Sequence, residues 1–218
     1  MNGLPTYVIV IPSLTLGGAE KQAVQYARAL LRSGTAQPFV LGLGRDGRLI
    51  NRLEDLDIPH GSFDAQAFFG ASRSQKALTV LRFAWFLRSL RPDTIIGFTH
   101  WPNLLCGVAW RWSGARRFFW NQRSVDSAVA MTTWERLAIR LGPRYMSNGL
   151  AGRAFIMERH GLQADSVATV PNAVHLPDVQ QVTLDRTDGN GTLQLLMTAN
   201  FFPEKDHATL LRALRMYL

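Results

Sequence analysis

Cysteine is nearly absent. Cys106 stands alone among 218 residues, so no internal disulfide can form, and the chain suits a reducing compartment such as the cytoplasm. A secretory signal is not expected either: "MNGLPTYVIVIPSLTLGG" has no basic segment ahead of its short apolar run. Nowhere do about 18 apolar residues follow one another, as a membrane span needs. The nearest approach, Ala77 to Leu87, is broken by Arg82. There is no low-complexity tract and no short-period repeat. No cluster of acidic, His or Cys ligands suggests a metal, and no recognisable nucleic-acid motif is present, so neither a metal cofactor nor a nucleic-acid partner is expected. Acid is also in short supply: 16 Asp and Glu face 24 Lys and Arg, for a net charge of +8. A basic surface attracts phosphates, whether on nucleotides or on lipid head groups.

What is present is an alternation. "YVIVI" (7–11) is a β-rich apolar run without period-2 patterning, as in a strand covered on both faces. A helix follows from Gly18 to Ser33, with Ala23, Val24, Ala27, Leu30 and Leu31 along one stripe, and Gly34 stops it. "PFVLGL" (38–43) is a second strand, and Leu49, Leu53 and Leu56 repeat at helical spacing. A long helix over 75–93 ends at Pro92. "TIIGF" (94–98), "RRFFW" (116–120), "RYMSN" (144–148) and "SVATVP" (166–171) are strands, separated by helices at "NLLCGVAWRWSG", from Trp134 to about Leu141, and from about Asn148, its expected N-cap, to His160. Such alternation predicts an α/β fold with a doubly wound parallel sheet. Ligands of these sheets lie beyond the carboxyl ends of the strands, which here means Leu14–Gly18, Thr99–Asn103, Asn121–Ser124 and Ser147–Gly149.

After Pro171 the pattern breaks. "NAVHLPDVQQVTLDRTDGNGT" is polar and turn-rich and reads as a linker. "LQLLMT" (193–198) and "HATLLRALRMYL" then start a fresh strand and helix that cannot bury their apolar faces alone. The expected organisation is a Rossmann-like domain over 1–175, a linker over 176–192, and the first strand and helix of a truncated second domain over 193–218.

The segments "GGAEKQAVQYARALLRSG", "SLRPDTIIGFTHWPNLL", "SNGLAGRAFIMERHGL", "VATVPNAV" and "ANFFPEKDHATLLRAL" resemble, in order and spacing, the glycosyltransferase family 4 enzymes. The resemblance implies the GT-B architecture, in which two Rossmann-like domains face each other across a cleft. It implies an acceptor-side first domain and a second domain that holds a nucleotide-sugar donor. The chain departs from the family pattern in four ways. The family's E-x7-E element would lie beyond Leu218. Asn200 and Phe202 stand where the family arginine usually stands, leaving Lys205. "PNA" (Pro171–Ala173) replaces "PNG", and Asn148–Gly149 replaces "NS".

Gly17 and Gly18 have no Cβ, so a diphosphate or a sugar can approach their backbone at the start of a helix. By themselves they also fit a plain strand-to-helix turn; the resemblance places them at the cleft. Glu20, in the first helical turn, complements the helix dipole by default. His100 follows a strand, and is either a solvated loop histidine or a group that exchanges a proton with substrate. Arg123 is either one surface arginine among many or a clamp for a phosphate or carboxylate. Asn172 shapes the turn into the linker. The resemblance implies that Lys205 steadies the charge on a departing nucleoside diphosphate. His100 and Lys205 are therefore the catalytic candidates, and Gly17, Gly18, Arg123 and Asn172 the candidates for binding donor and acceptor. The implied activity is retaining transfer of a hexose from a nucleotide sugar to a sugar or lipid-linked acceptor, in polysaccharide or glycoconjugate synthesis, with no cofactor. A rival reading is a non-catalytic module whose basic, tryptophan-rich segment 109–144 docks on an anionic membrane, at the inner face.

Overall fold

The computed structural model describes residues 3–44, 47–65, 68, 70–125, 131–174, 195–199, 201 and 205–217. They form two compact units, Met1–Val174 and His175–Leu218.

The first unit is a parallel sheet of seven strands: β1 (Thr6–Ile11), β2 (Gln37–Gly42), β3 (His60–Ser62), β4 (Thr94–Phe98), β5 (Arg117–Gln122), β6 (Arg144–Ser147) and β7 (Val167–Thr169). Their order is β3-β2-β1-β4-β5-β6-β7, and every neighbouring pair is parallel. This is the doubly wound sheet the alternation predicts. Helices α1 (Gly18–Ser33) and α2 (Leu49–Glu54) pack on one face, where Ala23, Val24, Ala27, Leu49 and Leu53 meet Ile9, Ile11, Val40, Ile96 and Phe98. Helices α3 (Arg73–Ser89), α4 (His100–Ser113), α5 (Thr133–Arg140) and α6 (Leu150–His160) cover the other, around Val8, Val10, Ile95, Phe118 and Trp120. Burial on both sides explains why Val8 to Ile11 lack alternation: all four are 0% exposed.

Local chemistry sets the helix ends. Gly34, Gly114 and Gly161 take the left-handed conformation past α1, α4 and α6, as C-terminal stops require. A capping box opens α3: the Ser72 hydroxyl accepts from the Gln75 backbone N–H, and the Gln75 side chain accepts from the Ser72 backbone N–H.

Four expectations need correction. Helix α4 begins at His100, three residues before "NLLCGVAWRWSG", so His100 opens a helix and does not sit in a loop. Gly149, not Asn148, is the N-cap of α6, in an extended backbone conformation and with no side-chain capping bond; the Asn148 side chain instead donates to Asn172 Oδ1 at 3.5 Å. Most of the aromatics of the tryptophan-rich segment serve the core: Trp110, Phe118 and Trp120 are buried, packed between α4 and the sheet, and Trp112 is the exposed tryptophan of the group. In the second unit, residues 195–199 lie in no strand. A lone strand has no ladder to join, so its backbone groups gain nothing by extending. That unit's helix, α7 (His207–Tyr217), forms as its 3.6-residue pattern predicts and buries none of its residues. The linker over 176–192, and residues 193, 194, Asn200, Phe202 and His175, lie outside the described residues.

Candidate functional site

Because every strand pairing is parallel, all the carboxyl ends lie along one edge of the sheet. The strand order reverses between β1 and β4. There α1 leaves toward one face and α4 toward the other, opening a crevice. Gly17–Gly18 stand on one side of that switch point and Thr99–His100 on the other.

The two glycines differ. A Cβ on Gly18 would meet nothing within 4 Å. A Cβ on Gly17 would lie 2.1 Å from Glu20 Oε2, so the missing side chain at 17 makes room for the Glu20 carboxylate. Glu20 is only 9% exposed.

Across the crevice, Thr99 has φ 71° and ψ 173°. That is a region populated almost only by glycine, and a β-branched residue there stores about 1–3 kcal/mol of strain. The strained peptide delivers His100 to the first position of α4, half-buried, with its ring 6.2 Å from Trp120 in an edge-on contact. Close approach of α4 to the sheet depends on Gly97, where a Cβ would stand 3.0 Å from the Asn103 backbone. Buried Asn103 then pairs with β5 like a strand, donating from Nδ2 to Asn121 O at 2.9 Å and accepting from Asn121 N at 3.0 Å.

Arg123 follows β5 directly. Its Nη2 donates to Asn172 Oδ1 at 2.5 Å, and the guanidinium lies 5.1 Å from the Phe98 ring centre. Burial pulls its pKa below the usual arginine value, and the charge of Glu20 partly offsets this. Asn172 is held in place by its own segment: Gln22 on α1 clasps the Ala173 backbone, donating at 2.8 Å and accepting at 2.9 Å. Beneath this clasp lies a cavity of about 150 Å³ between α1 and the sheet, lined by Gln22, Tyr26, Phe98, Arg123, Met146 and Pro171 among others.

The structure thus brings Gly17, Gly18, His100, Arg123 and Asn172 to one edge of the first unit. Lys205 belongs to the second unit, exposed just ahead of α7. Among the described residues no group of three or more His, Cys, Asp or Glu is placed to hold a metal.

Sequence reasoning missed the polar cluster behind Trp120. Glu135, 0% exposed, accepts from Arg159 Nε at 2.6 Å and Nη2 at 2.9 Å. His160, read above only as a helix end, is fully enclosed, with Nε2 3.1 Å from Glu135 Oε1 and Nδ1 3.2 Å from the Tyr145 hydroxyl. Its ring meets Trp120 edge-on at 4.9 Å. Burial works to raise the Glu135 pKa, but the hydrogen bonds from Arg159 and His160 and the charges of Arg159 and His100 outweigh it and bring the carboxyl down to about 2. The signal for Glu135 was a Thr132-x-x-Glu135 pattern, which in isolation reads as a helix cap; Thr132 Oγ1 does accept from the Glu135 backbone N–H.

No protein-family profile matches the sequence, and no curated protein does either. Solved structures do resemble the fold. HepE from Anabaena, in complex with UDP and glucose, superposes with a TM-score of 0.60 at 19% identity, covering 78% of this chain and 45% of HepE. A glycosyltransferase from Rickettsia africae gives 0.59 at 17%, covering 80% and 44%. UDP-GlcNAc 2-epimerase from Neisseria meningitidis, bound to UDP-GlcNAc, gives 0.55 at 10%, covering 77% and 46%. The chain spans less than half the length of these proteins. At such identities the likeness establishes the fold: a Rossmann-like α/β body of the kind found in GT-B proteins. Since transferases and epimerases share it, chemistry has to be argued from the site.

Proposed function

We propose that this chain is part of a glycosyltransferase that moves a hexose from a nucleotide sugar to an acceptor hydroxyl, with retention, in polysaccharide or glycoconjugate synthesis. The supporting observation is the switch-point crevice, where an open glycine, a strained turn carrying a histidine, and an arginine–asparagine pair converge in a fold shared with a UDP- and glucose-bound protein. For retention, the acceptor oxygen forms its bond to the anomeric carbon on the same face from which the diphosphate departs, as the bond from that carbon to the diphosphate breaks. The electron pair leaves with the nucleoside diphosphate, and the acceptor proton must be taken up. His100 is the candidate for that proton, and Lys205 for the charge on the leaving group. Arg123 and Asn172 orient polar groups of the acceptor. A sugar or lipid-linked acceptor and a cytoplasmic setting complete the proposal, and no cofactor is invoked.

Calorimetric titration with UDP-glucose, UDP-galactose and UDP-GlcNAc tests the reading. Measurable binding of at least one, with slow release of UDP in the presence of acceptor, supports it. Failure of every nucleotide sugar and every free hexose to bind rejects it.

One observation favours peripheral membrane contact as well. Leu78, Leu81 and Trp85 are exposed along α3, and Arg82 and Arg88 share that surface. Apolar and basic side chains so mixed suit an anionic interface. Flotation with acidic but not neutral vesicles, reduced by Trp85→Ser, is the expected result. Among the described residues no helix is long and apolar enough to cross a membrane.

A further inference from the structure

Glu20 is only 9% exposed, yet its carboxylate makes no hydrogen bond or ion pair with any described residue. Its oxygens are not sealed away either, for the enclosed polar atoms lacking a partner among the described residues are Trp110 Nε1 and Thr169 Oγ1. The carboxylate lies against Gly17, the N-cap of α1, in the space a side chain there would fill. Arg123 is within electrostatic reach, but its Nη2 is committed to Asn172.

The side chain is packed into the fold while its oxygens still reach the surface of the crevice, where the α1 dipole favours their charge. No described residue donates to either oxygen, so their lone pairs are open to a donor from a ligand. Those lone pairs stand beside the first turn of α1, whose leading N–H groups have no acceptor within the helix. The first bond across that turn runs from Lys21 N to Gly17 O. Acceptors and donors side by side match a hydroxyl, which is both. They do not match a phosphate, which the carboxylate repels.

We infer that Glu20 reads substrate hydroxyls: its carboxylate accepts hydrogen bonds from a neutral sugar ring seated at the N-terminus of α1, and it keeps phosphate groups away from Gly17. This rests on the sugar-transfer reading and deepens it, because it assigns this helix N-terminus to a sugar and not to the diphosphate. Gly17 then serves the site indirectly, by leaving room for the carboxylate, whereas the open face at Gly18 borders the ring itself.

The test uses the full chain with free glucose, galactose and N-acetylglucosamine as probes, read by saturation-transfer NMR, and inorganic pyrophosphate read by calorimetry. Wild type is expected to bind at least one of these sugars. Glu20→Ala should weaken that binding by about tenfold or more, the loss typical of a hydrogen bond to a charged group. Glu20→Gln, which keeps one acceptor oxygen, should fall between. Both variants should bind pyrophosphate more tightly than wild type, an effect that mere loss of helix stability would not produce. Melting temperatures identify any variant that fails to fold, and Gly17→Ala, whose methyl displaces only the flexible end of Glu20, should weaken sugar binding in a folded protein. Unchanged sugar affinity in folded Glu20→Ala overturns the inference and leaves the transfer reading standing. Absence of any sugar or nucleotide-sugar binding by wild type overturns both.

Discussion

Two side chains carry the testable physics at the scale of single residues. Thr99 holds a backbone geometry suited to glycine, at φ 71°. Replacing it with glycine removes strain of about 1–3 kcal/mol, against about 0.5–1 kcal/mol of added unfolded-state entropy. Thr99→Gly is therefore expected to stabilise the protein by about 1 kcal/mol in urea unfolding, and a loss of stability would show that the turn is not strained. Glu135 works in the opposite sense. Its carboxyl is held down at about 2, well below an ordinary 4.5, so folding favours the ionised form. That stability is complete above about pH 5 and is lost as pH falls toward 2. The shift corresponds to something on the order of 3 kcal/mol. Denaturation followed from pH 6 to pH 2 should show this loss in wild type, and a flatter profile with lower stability at neutral pH in Glu135→Gln, where Arg159 keeps its charge but loses its partner.

At the scale of elements, close approach matters more than propensity. Gly107 sits mid-way along α4, where any residue other than proline would favour the helix by some tenths of a kcal/mol up to about 1 kcal/mol. A Cβ there would stand 2.7 Å from the Ala138 Cβ on α5, a group with nowhere to swing. Gly107→Val is expected to cost about 2 kcal/mol, because the overpacking penalty of about 1–3 kcal/mol exceeds the gain in propensity; equal or greater thermal stability would mean that α4 and α5 separate freely. The ends of α1, α4 and α6 were legible because Gly34, Gly114 and Gly161 act locally. Strand β3 was not legible. His60–Ser62 has only three residues and little apolar character, and it is a strand because β2 offers it a ladder. The start of α4 was hidden for a related reason, since His100, Trp101 and Pro102 join the helix through the sharp turn at Thr99, which no sequence pattern announces.

Seen as a whole molecule, the buried core lies within Met1–Val174, and α7 buries nothing. A chain ending at Val174 is therefore expected to melt within a few degrees of the full chain and to keep its hexose binding; a collapse of either would mean that the second unit supports the first. The same division explains the unequal legibility of the candidate residues. His100 and Arg123 were singled out because each follows a recognisable strand, Gly17 and Gly18 because the family resemblance sets their strand-to-helix turn at a cleft, and Asn172 as a turn residue; the parallel sheet brings these positions to one edge. Glu20 was passed over because a glutamate in the first turn has an ordinary local explanation.

The fold class, most of the order of strands and helices, and the edge to which the strand-end loops go were determined by the sequence itself. They depend on periodicity and on turn chemistry, which act between residues a few positions apart. Tertiary structure alone decided which partners the side chains find: Glu135 with Arg159 and His160, Asn103 with Asn121, Arg123 with Asn172, and Glu20 with no hydrogen-bonding partner among the described residues. Those contacts join positions far apart in the chain, and their energies come from desolvation and geometry that exist only once the sheet has brought them together.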